Sequence, residues 1–560
     1  MPETIFIGVA WPYANGPLHQ GQIVGSFLPA DVFARFHRLR GDKVLMVSGS
    51  DQHGTPVTVR AEQEGRTPQQ VVDEFHDGFL EALDWLGITM DIFTTTGTEN
   101  HRETVQRIFL KLLHQGDIYK DTMQLLYCTK DSRFLPDRYV EGTCPNCGYE
   151  NARGDECENC NRALDAMELI EPRCKLCSTK PEARETEHYF LRLSSYSNRL
   201  RDWVSQQTHW RKHVVNFTLG VLNEGLRDRA ITRDLAWGIP LPTEELGPDK
   251  RLYVWFENVI GYLSAAKEWA QRSGKPEAWR EFWQNPECRS YYFLGKDNVF
   301  FHTLSWPAEI MAYGDGDGEP LNLPYDVPAN HFNTVSGLKA STSRRWAIWI
   351  RDLIGRYDPD PLRYYLCATM PETADSDFAW KDFVARNNNE LVATWGNLVN
   401  RALTLTYRNF DGQVPDPGEL DARERNLMEQ AEAMLADVDA HLSACRFRAG
   451  LGAAMSLAQE TNRFLDETAP WKALAADRAA AARSLYTVIA SMNALKIALW
   501  PYLPFSCERL HRYLGYDTSL LDEGWRLDRP APGQRLRQPE PLFTKLEPTV
   551  ADEEEERLAS

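Results

Sequence analysis

The chain has 560 residues, with 62 Lys and Arg against 80 Asp and Glu (a formal charge of −18), and 43% hydrophobic and 25% charged side chains. These are globular proportions, and at roughly 100–200 residues per domain the length allows about three to five cored domains. No run reaches the ~18 apolar residues of a membrane span, and Met1-Pro2-Glu3-Thr4 is not basic and leads into no signal-like apolar run, so neither membrane insertion nor secretion is expected and a cytoplasmic protein is.

Ile5–Val9 reads as a buried strand, followed by a turn at Trp11–Pro17. A helix is expected from about Gly21 to Arg40, with Pro29 as a kink or second start and Gly41 as the stop. Val44–Ser48 is the second strand, running into Gly49-Ser50-Asp51-Gln52-His53-Gly54. Strand, helix, strand, with polar residues past the strand ends, predicts a doubly wound, Rossmann-like α/β fold with ligands at the C-terminal strand ends. Residues 117–212 break the pattern as a cysteine-rich insertion between two halves, 1–116 and 213–325. The α/β pattern resumes with strands expected at Leu252–Trp255 and Tyr291–Leu294, then a linking segment at 326–386 with a polar loop from Ser336 to Arg345. Residues 387–545 are helical in period, and Leu420–Leu435 and Leu451–Glu467 read as amphipathic helices of an α-helical bundle. The end, 546–560, carries the run Ala551–Glu556 and is expected to be a solvated, frayed acidic tail.

Seven of the 11 cysteines lie between Cys128 and Cys177. In Cys144-x2-Cys147-x9-Cys157-x2-Cys160, two knuckles a short loop apart can converge four thiolates tetrahedrally on a structural Zn²⁺. Cys128, Asp131, Cys174 and Cys177 form a second candidate set, with a carboxylate in place of one thiolate, and a second zinc there stays open. His19, Gly21 and Gln22 stand at a helix start, where unpaired N–H groups suit phosphate. The small loop Gly337–Arg345 carries Lys339 and two arginines and can fold over a polyphosphate. Asp51 among Trp11, Tyr13, Trp255, Tyr262, Phe301 and Trp306 can hold an ammonium beside an apolar side chain.

Taken in order, these segments resemble the class I aminoacyl-tRNA synthetases, and among them the methionine-specific branch. Ala10–Gln22 is similar to the family's first ATP motif, and Gly49–Pro56 to its amino-acid-binding strand end. Phe134–Arg138 with the cysteine knuckles resembles its zinc-bearing insertion, and Tyr253–Tyr262 and Gly295–His302 resemble its pocket segments. Lys339–Ser343 takes the place of the K-M-S-K-S loop, and Asn397–Arg401 and Ala469–Trp471 resemble the anticodon-reading helices. Three departures stand out: Gln22 replaces the second motif histidine, Ala340 and Thr342 replace the loop's Met and second Lys, and Asn258 sits where a smaller residue is usual.

The resemblance implies a methionine–tRNA ligase, a monomer, that uses ATP with Mg²⁺ to make methionyl-adenylate from L-methionine and transfers it to tRNA(Met). It implies His19, Gln22, Lys339 and Thr342 as catalytic, and Gly21, Lys296, Ser341 and Ser343 as further ATP contacts. Trp11, Tyr13, Asp51, Trp255, Asn258, Tyr262, Phe301 and His302 would receive methionine. Asn397, Arg401 and Trp471 would receive the anticodon, with Trp471 as a stacking plane. The competing reading is a divergent paralogue that binds tRNA or makes an adenylate without normal charging.

Overall fold

The structure is a computed structural model, in which residues 2–154, 157, 159–160, 164–316, 319–339 and 346–559 are described. The strand Thr4–Val9 is buried from Ile5 to Val9, as a strand covered on both faces must be. It pairs in parallel with Lys43–Ser50 on one side (Ile5 opposite Val44) and with Arg289–Phe293 on the other (Ile5 opposite Arg289). Ile92–Thr95 pairs with Lys43–Ser50, so the order is 289–293, 4–9, 43–50, 92–95, all parallel. The winding reverses between the first strand and the late strand, and the crevice past their C-terminal ends is where such sheets bind ligands. The turn that enters it is stitched to the neighbouring strand end: Ala14 N–H donates to the Asp51 carbonyl and Asp51 N–H to the Pro12 carbonyl, both at 2.8 Å.

The helix after this turn runs from Gln20 to Leu39 and contains a π turn at Ile23–Phe27, just before Pro29. Proline has no N–H and crowds the preceding turn, so the helix widens there. Leu28 N–H bonds the Ile23 carbonyl, which leaves the Val24 carbonyl without its helical donor. Asn330 Nδ2 takes that place at 2.8 Å, tying the helix to the strand-like segment beside Leu294.

The insertion stands on a long antiparallel ribbon, Ile118–Cys128 against Glu182–Leu191. Its far end carries the cysteines and a small core of Leu126, Leu135, Tyr139, Val140 and Leu169. The strand expected at Leu252–Trp255 is corrected. Only Lys250–Leu252 is extended, antiparallel to Thr232–Asp234 and outside the main sheet, and a helix starts at Val254 and runs to Arg272. The aromatic run Tyr253–Phe256 favours a strand by type, but its burial is that of a helix packed on the second strand.

The linking segment builds a small sheet, Leu338–Lys339 against Asn333–Val335 against Ser376–Phe378, and the helix Pro359–Ala368. The bundle follows, with Ala422–Ser443, Phe447–Thr468 and Arg478–Leu499 as its long helices. Asp421 and Glu424 form a capping box at the first of them. The acidic end is not frayed. Thr549–Ala559 is a helix packed on Trp380–Arg386, and Glu554 is buried where Tyr357 donates to it at 2.7 Å and Arg356 pairs with it. Among the described residues, no helix is long and apolar enough to cross a membrane.

Candidate functional site

At the crevice, His19 caps the helix. Its Nδ1 accepts from Gly21 N–H at 3.1 Å, and Gln22 Oε1 accepts from His19 N–H at 3.1 Å. Because Nδ1 is an acceptor, the proton of a neutral ring sits on Nε2, and because Oε1 is committed, Gln22 presents its N–H₂ group as donor. The same turn is bound to the linking segment. His19 bridges Trp349, Ile348 N–H donates to Gln20 Oε1 at 3.0 Å, and Gln20 Nε2 donates to the Asn333 carbonyl at 3.4 Å. Thr334, beside Asn333, is the register partner of Lys339. The first turn and the lysine strand, some 320 residues apart, therefore border one crevice. Ser341, Thr342 and Ser343 lie outside the described residues. Lys296 follows the late strand but is committed to Asp375, at 2.7 Å, with Phe332 beneath it.

Asp51 is buried at the end of the second strand. His53 N–H donates to its Oδ1 at 3.2 Å and Asn258 Nδ2 to its Oδ2 at 2.9 Å. Burial, and then the negative charge of Glu257, push its pKa up to about 8. Glu257, also wholly buried, is held between His53 Nδ1 (3.0 Å) and His101 Nε2 (3.2 Å). Burial opposes its ionisation, but the two imidazoles keep its pKa below the usual value. Sequence reasoning assigned no role to Glu257 or His101. The legible signal was an acid inside the apolar helix start Val254–Ile260, since a buried carboxylate needs a partner.

The apolar wall stands beside Asp51. Trp255 and Phe301 stack at 4.0 Å and 5°, and Tyr13 meets Trp255 edge-on at 6.1 Å. Trp11 lies against Tyr262 and against Gly261, where a Cβ would come within 3.1 Å of the indole. His302 Nδ1 faces the Asn298 carbonyl at 2.9 Å and must carry the proton, so Nε2 accepts from Tyr262 O–H at 2.8 Å. Burial pulls the His302 pKa down to about 4, so the ring is neutral at physiological pH. Trp306 is not part of this wall, being packed in the core on Trp283.

Both cysteine sets close up. The candidate ligand atoms of Cys144, Cys147, Cys157 and Cys160 lie within 4.8 Å of one another, and so do those of Cys128, Asp131, Cys174 and Cys177. A tetrahedral zinc with Zn–S near 2.3 Å requires S···S edges of about 3.8 Å. The observed edges are 3.9 Å (Cys144–Cys160) and 3.6 Å (Cys147–Cys157) in the first set. In the second set, Cys128–Cys177 is 3.4 Å, and Asp131 Oδ2 stands 3.3 and 3.2 Å from Cys128 and Cys174. Both donor sets fit a metal ion such as zinc.

In the bundle, Asn397 and Arg401 line one groove of about 580 Å³ with Thr394, Asn462, Arg463 and Asp466. Arg401 pairs with Asp466 at 2.6 Å and lies 5.1 Å over the Trp471 ring, which is 42% exposed. Ala469 holds φ 41°, ψ 57° between two helices, a left-handed conformation that L-residues avoid, and the turn it makes leaves Trp471 beside Arg401 of the groove.

Known proteins share this layout. The family described as tRNA synthetases class I (M) matches residues 5–403, and the anticodon binding domain of methionyl tRNA ligase matches residues 414–560. A methionine–tRNA ligase of Dehalococcoides mccartyi is 55% identical over 558 residues, covering 100% of both chains. One of Thermomicrobium roseum is 50% identical over 584 residues, covering 100% of this chain and 99% of its own. The solved Mycobacterium tuberculosis methionyl-tRNA synthetase in complex with methionyl-adenylate superposes with a TM-score of 0.80 at 26% identity, over 97% of this chain and 99% of that one.

Proposed function

The chain belongs to the methionyl group of class I tRNA synthetases, and on that premise we propose how its own residues carry the ligation of methionine to tRNA. Its activity is that of a methionine–tRNA ligase. The observation that carries the assignment is the shared crevice: the His19–Gln22 cap and the Lys339 strand on one side, Asp51 and the aromatic wall beside them.

In the first step a methionine carboxylate oxygen attacks the α-phosphorus of ATP, and the bond to pyrophosphate breaks. Mg²⁺ enters with ATP as its counter-ion. His19 Nε2–H, Gln22 N–H₂ and Lys339 stabilise the phosphoryl oxygens, and Ser341, Thr342 and Ser343 belong to the same loop. Little proton transfer is needed, so positioning and charge stabilisation supply the rate. Asp51 holds the methionine ammonium, oriented by Asn258. Trp11, Tyr13, Trp255, Tyr262, Phe301 and His302 enclose the thioether, whose sulfur contacts rings favourably, by about 0.3–1.5 kcal/mol. In the second step the 2′-hydroxyl of the terminal adenosine of tRNA(Met) attacks the adenylate carbonyl and AMP leaves. Zinc in the four-cysteine set, and a second zinc at Cys128, Asp131, Cys174 and Cys177, brace the insertion.

Two experiments test these roles. Asp51 is protonated below about pH 8 in the free protein, and an ammonium needs the carboxylate, so methionine binding must release that proton. The Kd for methionine should therefore fall as pH rises from 6 to 8, by up to about tenfold per unit, with about one proton released in calorimetry. Asp51→Asn should flatten the profile and weaken binding more than about 100-fold, whereas a flat wild-type profile would remove Asp51 from the ammonium site. For the tRNA, Trp471→Ala should lower kcat/KM for tRNA(Met) by about 10–100-fold, the value of one stacked base at about 1–3 kcal/mol. Pyrophosphate exchange should not change, and undiminished charging would mean that Trp471 does not stack on the anticodon.

A further inference from the structure

Arg363 and its partner Asp31 have no exposed surface, and they pair at 2.7 Å. The guanidinium is divided among separate parts of the chain. Nη2 also donates to the Pro501 carbonyl (2.8 Å), Nη1 to the Leu86 carbonyl (3.0 Å) and Nε to the Tyr502 carbonyl (2.9 Å). Asp31 lies on the helix that begins at the His19–Gln22 cap. Arg363 lies on Pro359–Ala368, which follows the lysine loop. Pro501 and Tyr502 form the turn after Arg478–Leu499, a long helix of the bundle that carries the groove.

The same corner is fastened twice more. Asp360 accepts from Ser506 N–H and from its hydroxyl, both at 2.6 Å. Arg35, paired with Asp31 at 2.9 Å, lies 5.0 Å over the Trp500 ring. Two guanidiniums on one buried carboxylate are costly to desolvate, and apolar packing would hold the parts together as well. What the planar, multidentate guanidinium adds is direction, since each N–H fixes one angle between the parts.

We propose that Arg363 is a positioning residue for the transfer step: it sets the angle between the adenylate crevice and the anticodon groove, and so where the 3′ end of a tRNA seated in that groove arrives. This rests on the reading that the groove of Asn397, Arg401 and Trp471 receives the anticodon. Activation of methionine involves one side of the joint only. Transfer to a whole tRNA spans it, and a misplacement of about 1 Å can cost about 10²-fold.

The test compares wild type with Arg363→Met, which leaves the Arg35–Asp31 pair in place, in three assays. Pyrophosphate exchange and KM for tRNA(Met) should stay within about threefold. The kcat for charging whole tRNA(Met) should fall about 10–100-fold. Slow charging of a minihelix of the acceptor arm alone, which cannot span the joint, should not change. Equal losses in exchange, or on the minihelix, would make Arg363 merely structural, and undiminished charging of whole tRNA would overturn the proposal outright. If the Met variant fails to fold, Arg363→Lys keeps a cation by Asp31 but cannot reach the three carbonyls together, and the same split is expected of it. Failure of the anticodon reading would show separately, as normal charging by Trp471→Ala.

Discussion

Replacing Lys339 by alanine is expected to lower the rate of methionine-dependent ATP–pyrophosphate exchange by about 10²–10³-fold, with KM for methionine nearly unchanged. The backbone places Lys339 opposite Thr334, one residue from the Asn333 carbonyl that receives Gln20 of the helix cap. The next four residues, Ala340-Ser341-Thr342-Ser343, carry no cation. Lys339 is thus the cation of this segment closest in sequence to the strand that meets the cap, on a chain whose overall charge of −18 gives no help to a polyphosphate. Charge that develops only as pyrophosphate departs is stabilised in the transition state and not in the ground state, so kcat should carry the loss. Arg344→Ala and Arg345→Ala are the controls. If either of them, and not Lys339→Ala, removed exchange, the lysine would have no part in catalysis. Ordinary exchange together with ordinary charging of tRNA(Met) by the wild type would also dispose of the paralogue reading, which drew its force from Gln22 and Thr342. Gln22 keeps a donor at its position, because its Oε1 accepts from His19 N–H and leaves the N–H₂ group to donate.

What the sequence made legible is what is local in the chain. The first strand, its helix and the second strand each lie in one continuous run, and the period of their apolar residues shows their fold. The four-cysteine set is legible for the same reason, since its spacing alone brings the thiolates together. The second set is half local. Cys128-x2-Asp131 and Cys174-x2-Cys177 meet only because the ribbon Ile118–Cys128 and Glu182–Leu191 is in register from Ile118 to Tyr127. Other features depend on partners far away. Nothing near Val24 announces Asn330, and nothing near Glu257 announces His53 and His101. The acidic end reads as solvated because a run of glutamates has no apolar face to speak of. Its helix is decided by distant partners: Arg356 and Tyr357, about 200 residues earlier, meet Glu554, while Val550, Ala551 and Leu558 pack on the core. The misread strand at Leu252–Trp255 is of another kind, a short apolar run whose type length alone cannot settle.

Removing the metal should have the other large effect. The far end of the insertion has only a handful of apolar side chains to bury, among them Leu126, Leu135, Tyr139, Val140 and Leu169, and the cysteines are part of that same small core. Structural zinc contributes about 10–16 kcal/mol of apparent binding free energy in small modules of this kind, far more than such a core supplies, so without metal the tip should unfold. The ribbon beneath it, held by its own ladder, should stay. The damage reaches the site by one traceable route. Arg133 makes two bonds of 2.9 Å to Glu62, and Tyr139 adds a third at 3.1 Å. Glu62 lies on the helix Thr55–Glu64, which starts directly after Asp51-Gln52-His53-Gly54. Stripped protein should accordingly lose about tenfold in pyrophosphate exchange, with charging falling at least as far. Limited proteolysis should cut between residues 140 and 180 only after chelation. Metal analysis should return two zinc ions per chain, and cobalt substitution should give the absorption of one S₄ and one S₃O site. One ion per chain would strike out the set containing Asp131, and a tip that resists protease without metal would mean that its fold does not depend on zinc.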